Sequence, residues 1–383
     1  MHTLKLIPIA LASSVASAQS APDTSSLTAR LGVDTIAVER IVRTASTVDA
    51  EIAVRSPRTS LQRHHAEFGA DGMLSRLEVT VLDPATGAVR RRTVFVAGQD
   101  SIRIAEEQGA ERTSRAVGAN RAALPFIDLV HWPFEVALRR LRASGASSID
   151  APMLSGPRIS AFPLTLGGAD SATVTHPTRG TMRLSVGRDG SIQTLDAGAT
   201  TRALVVTRGK SVDVVALARD YAARDAAGTG IGELSGRGGG TTSVLGAKVT
   251  LDYGTPVKRG RDIWGSLIRY GKLWRTGANS ATHFTTDKAL RFGTLEVPAG
   301  KYTLFSMPEA DGGWLIINKQ TGQNGQQYDE KQDLGRVRMT ARDLSAPVEV
   351  FTISAREEKG RGLLALQWDR KELVTEFIVS APR

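Results

Sequence analysis

The chain has 383 residues, a formal net charge of +10 and no cysteine. This length favours two domains over one core, and an apolar fraction of 41% allows packed cores but is too small for a polytopic membrane protein. The lack of cysteine excludes disulfides, thiolate chemistry, cysteine-ligated zinc and lipid attachment through cysteine, and a positive charge spread over both halves disfavours nucleic-acid binding.

The first 18 residues have the layout of a secretory signal. Lys5 precedes an apolar run from Leu6 to Ala12, and small residues follow as far as Ala16-Ser17-Ala18. A buried helix gives no packing reason for an A-x-A ending, so the pattern predicts cleavage after Ala18 and export to the periplasm or the extracellular space. No later segment of the sequence approaches about 18 uninterrupted apolar residues, and no membrane span is predicted.

Residues 19–227 are predicted to form a β-rich N-terminal domain, an antiparallel sheet with a packed helix. Leu74–Leu82 alternates as a strand, Asp83–Gly87 is a turn, and Arg90–Val96 returns as the partner strand. Pro125–Leu141 has a helical pattern that Pro133 must start or kink, and Val212–Ala227 is predicted to be an exit helix. Further short strands are predicted at Arg158–Leu166, Ser171–His176, Thr181–Val186, Ile192–Leu195 and Thr201–Val206.

A glycine-rich segment, residues 228–243, separates two regions of different composition. Lys210 is the only lysine between residues 19 and 230, whereas nine lysines and four of the five tryptophans follow the segment. Because glycine- and serine-rich chains gain little from ordering, these residues are predicted to be a flexible linker between domains.

Residues 244–383 are predicted to form a second β-rich domain, and the fold class is mainly β. Short strands with turns and little helix are typical of a β-sandwich or jelly roll. Pro298-Ala299-Gly300-Lys301 is predicted to be the turn of a tight hairpin. The predicted strands are Ala247–Tyr253, Thr294–Val297, Tyr302–Ser306, Trp314–Asn318, Val348–Ser354, Gly362–Trp368 and Glu372–Val379.

The densest group of polar and aromatic residues lies between Lys258 and Arg275, with six cations and one acid, Asp262. The planar guanidinium of arginine stacks on aromatic faces, and it also donates two parallel hydrogen bonds to a carboxylate or phosphate group. Gly277 permits a positive φ or a close approach of the backbone to a ligand. The block is therefore a candidate site for a small anionic or carbohydrate ligand, and its predicted ligand-binding residues are Arg261, Trp264, Trp274, Arg275, Asn279, Thr282 and His283.

Other interpretations of the same block remain open. It can be a long loop fixed by arginine–backbone hydrogen bonds and tryptophan packing. It can also belong to a hydrolase of envelope polymer or carbohydrate, with Arg261 or Arg275 stabilising charge and His283 or an acid as the base. A purely structural envelope module is the third alternative. The leading hypothesis is a non-catalytic, exported protein that binds a ligand or a partner, with no metal, cofactor or nucleic acid.

The second domain resembles a bacterial β-rich family known as domain of unknown function 2911. The resemblance covers about residues 240–383, and it implies a β-rich fold but no reaction. Trp264 stands where phenylalanine is common in that family. The resemblance depends above all on Trp274-Arg275-Thr276-Gly277-Ala278-Asn279, with support from Tyr253-Gly254-x-Pro256, Tyr270-Gly271-Lys272, Trp314-x-Ile316-Ile317 and Glu349-x-Phe351-Thr352-Ile353.

Overall fold

The computed structural model describes residues 23–118, 121–200 and 202–380. Within these ranges the chain forms two sheets, of 15 and nine strands, and two α-helices. The predicted mainly β fold is confirmed. The predicted signal sequence lies outside the described residues, and so does Thr201, the first residue of one predicted strand.

The first sheet follows the chain order almost completely. Its order is β8-β7-β6-β5-β4-β3-β2-β1-β15-β14-β13-β12-β11-β10-β9, so β1 lies beside β15 and joins two runs of neighbouring strands. All the pairs are antiparallel except β9 with β10. The strands are β1 Asp23–Leu31, β2 Asp34–Arg43, β3 Thr47–Val54, β4 Ser60–Phe68, β5 Leu74–Leu82, β6 Val89–Ala97, β7 Ser101–Gln108, β8 Glu111–Gly118, β9 Leu124–Pro125, β10 Ser148–Ser155, β11 Arg158–Leu166, β12 Ser171–His176, β13 Gly180–Val186, β14 Ile192–Asp196 and β15 Val205–Gly209.

Helix α1, Trp132–Ser144, packs into the main hydrophobic core of this sheet, which draws residues from strands on both sides of β1. The helix begins at Trp132, which agrees with the prediction that Pro133 starts or kinks a helix, and residues 125–131 of the predicted helical pattern are not part of it. Its first turn holds Pro133, and the Glu39 carboxylate of β2 accepts hydrogen bonds from the backbone nitrogens of His131 (2.9 Å) and Trp132 (3.0 Å). These bonds satisfy two amide groups that the start of a helix leaves free, so a residue distant in sequence fixes where α1 begins.

A buried ion-pair group fixes the same helix to the sheet. Glu135 of α1 is fully buried, and its carboxylate lies between the guanidinium groups of Arg43 and Arg208. One carboxylate oxygen also accepts a hydrogen bond from the backbone nitrogen of Ile192 at 2.8 Å. A buried charge is tolerated when it is paired and hydrogen-bonded, and Glu135 meets both conditions.

Helix α2, Val214–Ala226, packs on a separate, smaller core of the same sheet. Its buried residues Val214 and Ala218 contact side chains of β2, β3, β4 and β5. The Asp213 side chain caps its start by accepting a hydrogen bond from the Ala216 nitrogen at 2.9 Å. The predicted antiparallel sheet with a packed helix is therefore confirmed.

The second sheet has the order β16-β17-β18-β21-β22-β23-β24-β19-β20. It bends over one core, as two contacts between β17 and β23 indicate. The Tyr253 hydroxyl of β17 donates to the Ile353 carbonyl of β23 at 3.2 Å, and the Tyr253 ring packs edge-on against Phe351. The resulting two layers match the predicted sandwich-like arrangement. The strands are β16 Ser235–Val244, β17 Ala247–Pro256, β18 Thr282–Thr286, β19 Leu290–Phe292, β20 Leu295–Val297, β21 Gly300–Glu309, β22 Gly312–Asn318, β23 Asp333–Glu358 and β24 Arg361–Val379.

Three local predictions differ from the structure of this region. The strands on either side of Pro298-Ala299 do not pair with each other, because β20 pairs with β19 and β21 pairs with β18 and β22. The predicted strands Gly362–Trp368 and Glu372–Val379 are parts of the single strand β24. From Ser235 onward the predicted linker is the edge strand β16, which pairs with β17 along its whole length.

Arg259 joins the second sheet to the turn between β1 and β2. Its backbone carbonyl accepts a hydrogen bond from the Val33 nitrogen at 3.0 Å, and its guanidinium contacts the Asp34 carboxylate at 2.5 Å. The same guanidinium donates to the carbonyls of Ile231 and Glu233 at 2.9 and 2.8 Å. Gly32 allows this contact, since a Cβ there would lie 1.9 Å from the Arg259 carbonyl oxygen.

Candidate functional site

The two tryptophans of the predicted ligand loop pack into the domain core. The loop connects β17 with β18, and within it the rings of Trp264 and Trp274 meet edge-on with centroids 6.3 Å apart. Trp274 also stacks on Trp368 of β24 at 6.2 Å, and the Trp264 indole nitrogen donates to the Trp368 carbonyl at 2.9 Å. These rings anchor the loop to the sheet, which is the packing that the alternative interpretation expects.

Arg261 acts as an internal clamp. Its Nε donates to the Lys258 carbonyl at 2.9 Å, and Nη2 donates to the Val257 carbonyl. Burial and then the nearby charge of Arg259 lower the pKa of Arg261 to about 10. The guanidinium therefore closes the turn after β17 and directs at least two of its donors inward.

Arg275 has a different environment. Its Nε donates to the Gly277 carbonyl at 3.2 Å, and this is its single hydrogen bond within the described ranges. Burial and then the like charge of Arg202, from the first domain, lower its pKa below the usual range. Gly325 leaves room for the side chain, because a Cβ there would lie 2.9 Å from the Arg275 Cδ. Most of the five guanidinium donors of Arg275 therefore remain available.

The other three predicted residues lie at the start of β18 and just before it. The buried Thr282 hydroxyl donates to the Thr276 carbonyl at 2.7 Å. The Nδ1 atom of buried His283 lies 3.3 Å from the Thr303 hydroxyl, and burial followed by the Lys301 charge lowers the His283 pKa. Asn279 is exposed, with a positive φ of 61°.

The predicted set therefore separates into groups with different roles. Trp264 and Trp274 belong to the aromatic cluster, and Arg261 closes the neighbouring turn. Arg275 and Asn279 both lie against Gly325, since a Cβ there would lie within 2.9 Å of the Arg275 Cδ and 2.8 Å of the Asn279 carbonyl oxygen. Ligand binding by this loop remains a prediction, and of its two predicted ligand-binding arginines Arg275 keeps more free guanidinium donors than Arg261.

The two arginines should respond differently to truncation. We expect Arg261→Ala to lower the free energy of unfolding by about 1–3 kcal/mol, because it leaves the Val257 carbonyl without a donor and removes one of the two donors to the Lys258 carbonyl. Arg275→Ala should leave the thermal midpoint of the full chain unchanged or slightly raised, because it loses one bond and removes a like charge from Arg202. Equal losses of stability in the two variants would show that Arg275 is also a clamp.

A groove lies where two long strands of the second sheet separate. Within the described chain, the ladder between β23 and β24 ends at the Thr340–Val374 pair. Beyond it, β23 continues beside β22 and β24 continues beside β19. The groove between them has a volume of about 530 Å³, and its half-buried apolar lining residues are Trp314 and Ile378.

Charged and aromatic side chains form the rim of this groove, which sequence reasoning did not find. The arginines come from β19, β23 and the start of β24, and Trp314 comes from β22. The Arg338 guanidinium lies 4.9 Å from the centroid of the Trp314 ring. Separations of up to 85 positions along the sequence hide the grouping, although alternation in Arg336-Val337-Arg338 places both arginines on one face. The rim residues are Arg291, Trp314, Arg336, Arg338, Arg361 and Glu376.

Comparisons with known proteins give few relatives. No curated protein matches the chain. A crystal structure of a DUF1089 family protein from Pseudomonas aeruginosa is 16% identical, covers 43% of this chain and 90% of its own, and has a TM-score of 0.32. The crystal structure of a beta-barrel-like protein of the domain of unknown function DUF1849 from Brucella abortus is 10% identical, covers 50% of this chain and 96% of its own, and has the same TM-score, 0.32.

A family model matches the second domain. No family matches the N-terminal region. The matched segment begins in β16 and ends near the end of β24, and it therefore contains both the Trp264–Trp274 loop and the groove. Residues 239–377 match the family described as protein of unknown function, DUF2911, and the resemblance seen in the sequence is confirmed.

Proposed function

We propose that this chain is a non-catalytic, exported protein that binds a small anionic or carbohydrate ligand in the groove between β23 and β24. The observation that carries the proposal is the groove itself. Its volume of about 530 Å³ falls within the range of about 300–1,000 Å³ that is usual for small-molecule sites. Its lining combines five charged side chains with the half-buried apolar residues Trp314 and Ile378.

The groove offers little support for hydrolysis. Glycoside hydrolysis ordinarily uses two carboxylates on opposite sides of the scissile bond. Among the described lining residues Glu376 is the one acid, and its carboxylate lies 3.4 Å from the Arg361 guanidinium. A hydrolase remains the alternative for the loop after β17, where His283 and Arg275 are the candidate groups.

Binding can be measured with calorimetry on the full mature chain. The probes are inorganic phosphate, pentagalacturonate as an acidic oligosaccharide, and maltopentaose and chitopentaose as uncharged ones. At least one probe should bind, and Arg338→Ala should weaken it about tenfold or more by removing a charged rim donor. Arg237→Ala is the matched control, because Arg237 is a half-exposed, carboxylate-paired arginine on the edge strand β16.

Two outcomes would contradict this proposal. No binding of any probe, or binding that Arg338→Ala leaves unchanged, would remove the groove as the ligand site. Release of new reducing ends during incubation with either uncharged oligosaccharide would replace the non-catalytic interpretation by the hydrolase alternative.

Export gives a separate prediction. Within the described residues, no helix is both long and apolar enough to cross a membrane. We expect the mature chain to begin at Gln19, because signal cleavage follows the small-residue ending at Ala18. Mass spectrometry of the protein recovered from the periplasm or medium checks this, and a product that begins before Val15 contradicts it.

A further inference from the structure

Every arginine on the rim of the groove already faces a carboxylate. Arg338 contacts Glu309 at 2.8 Å, and Arg361 contacts Glu376 at 3.4 Å. Arg291 lies 3.6 Å from Glu296, and Arg336 contacts both Glu330 and Asp333. Four guanidinium groups therefore stand against five carboxylates, although Glu376 is the only one of these five among the described lining residues.

This balance disfavours an anionic ligand. A phosphate or carboxylate would have to displace one of these carboxylates or lie close to one, and like charges repel at such distances. The pairs nevertheless leave hydrogen-bonding capacity unused. Arg338 directs Nη1 to Glu309, and four of its five donors stay free within the described structure.

Paired arginines and carboxylates suit a ligand rich in hydroxyl groups. A hydroxyl both donates and accepts, so adjacent hydroxyls can accept from a guanidinium and donate to its partner carboxylate without breaking the pair. Trp314 and Ile378 are half-buried lining residues, and they offer apolar surface for the C–H face of a sugar ring. A ligand with polar edges and apolar faces matches both surfaces.

We propose that the groove binds an uncharged oligosaccharide, held by hydrogen bonds to its arginine–carboxylate pairs and by contact with Trp314 and Ile378. This inference rests on the proposed function, since it names the ligand class of the same groove. The affinity for the oligosaccharide then depends on hydrogen bonds and apolar contact rather than on net charge. Because salt screens interactions between exposed charges, such an affinity should change little with ionic strength.

The test compares maltopentaose and chitopentaose with pentagalacturonate at 20 and 500 mM salt. We expect at least one uncharged probe to bind more tightly than pentagalacturonate, with less than a threefold change between the two salt concentrations. Trp314→Ala should weaken that binding by about tenfold, through loss of the aromatic surface. Unchanged thermal midpoints establish that the variants are folded.

A charge variant makes the comparison sharper. Glu309→Gln leaves Arg338 without its anionic partner, so it should raise the affinity for pentagalacturonate and lower that for the uncharged probe. Stronger binding of pentagalacturonate to the unmodified protein, with a steep loss at high salt, would overturn the sugar assignment and leave the groove as a ligand site. Failure of every probe to bind would overturn both proposals.

Discussion

Replacing Glu135 by alanine is expected to lower the free energy of unfolding by about 3–5 kcal/mol, the usual cost of breaking a buried ion pair from one side. The variant leaves the charges of Arg43 and Arg208 facing each other beneath α1, and it also removes the acceptor of the Ile192 amide. Urea unfolding, followed by circular dichroism, measures the loss.

Two comparisons isolate the buried charge. Glu135→Gln keeps the shape of the side chain and can still accept from Ile192, so a loss it shows comes from the missing negative charge and from the amide NH2 that then faces a guanidinium. Asp220→Ala breaks an exposed pair with Arg224 on α2, where both side chains are more than half exposed, and should cost less than about 1 kcal/mol. Similar losses for Glu135→Ala and Asp220→Ala would contradict the assigned role of Glu135.

Replacing Arg259 by alanine is expected to uncouple the two sheets. The variant leaves the Asp34 carboxylate and the carbonyls of Ile231 and Glu233 without their donor. We expect the free energy of unfolding to fall by about 1–3 kcal/mol or more, because the lost donor is charged. The segment before β16 should then open to proteases, and calorimetry should resolve two transitions in place of one.

The control for this variant is Arg237→Ala on the edge strand. Arg237 pairs with exposed Asp252 of the neighbouring strand and makes no contact with the first sheet among the described residues. It should therefore leave the calorimetric profile unchanged. A single transition in Arg259→Ala, with no new cleavage between residues 228 and 235, would show that other contacts hold the sheets together.

Local patterns in the sequence predicted many strands accurately. The predicted bounds of β5, β11 and β12 agree with the structure, because each strand alternates and is bounded by turn residues. Pro133 correctly indicated the start of α1, but the cap that Glu39 of a distant strand supplies was not predictable from the residues of the helix. Sequence patterns of this kind describe neighbours along the chain and not neighbours in space.

Strand pairing shows the same limit. Pro298-Ala299 does mark a change of direction, but the strands on its two sides find different partners in the sheet. The sequence around Asp369 predicts a turn, and Asp369 does have a positive φ of 51°. The β23–β24 ladder nevertheless continues on both sides of Asp369, so β24 is a single strand. Position 239 in β16 requires glycine, because a Cβ there would lie 2.0 Å from the Leu251 carbonyl oxygen of β17.

The candidate site was predictable only as a concentration of charge and aromatic rings. The sequence does not show which guanidinium groups donate to backbone carbonyls and which keep free donors. Arg261 is an example of the first kind, and Arg275 is an example of the second. The groove was not predictable, because its rim combines residues of β19, β22, β23 and β24. It exists because two paired strands separate, and strand separation has no local signal in the sequence.

The contact between β1 and β15 sets the order in which the first sheet can assemble. Each run of strands on either side of this contact consists mostly of hairpins between consecutive segments, which close short loops and form quickly. The exception is the parallel pair of β9 and β10, which are connected through α1. The β1–β15 contact joins Leu27 to Arg208, and closing so long a loop is entropically costly until both runs exist. During synthesis β1 therefore precedes its second neighbour β15, and until β15 pairs with it β1 exposes an unpaired strand edge that is prone to aggregation.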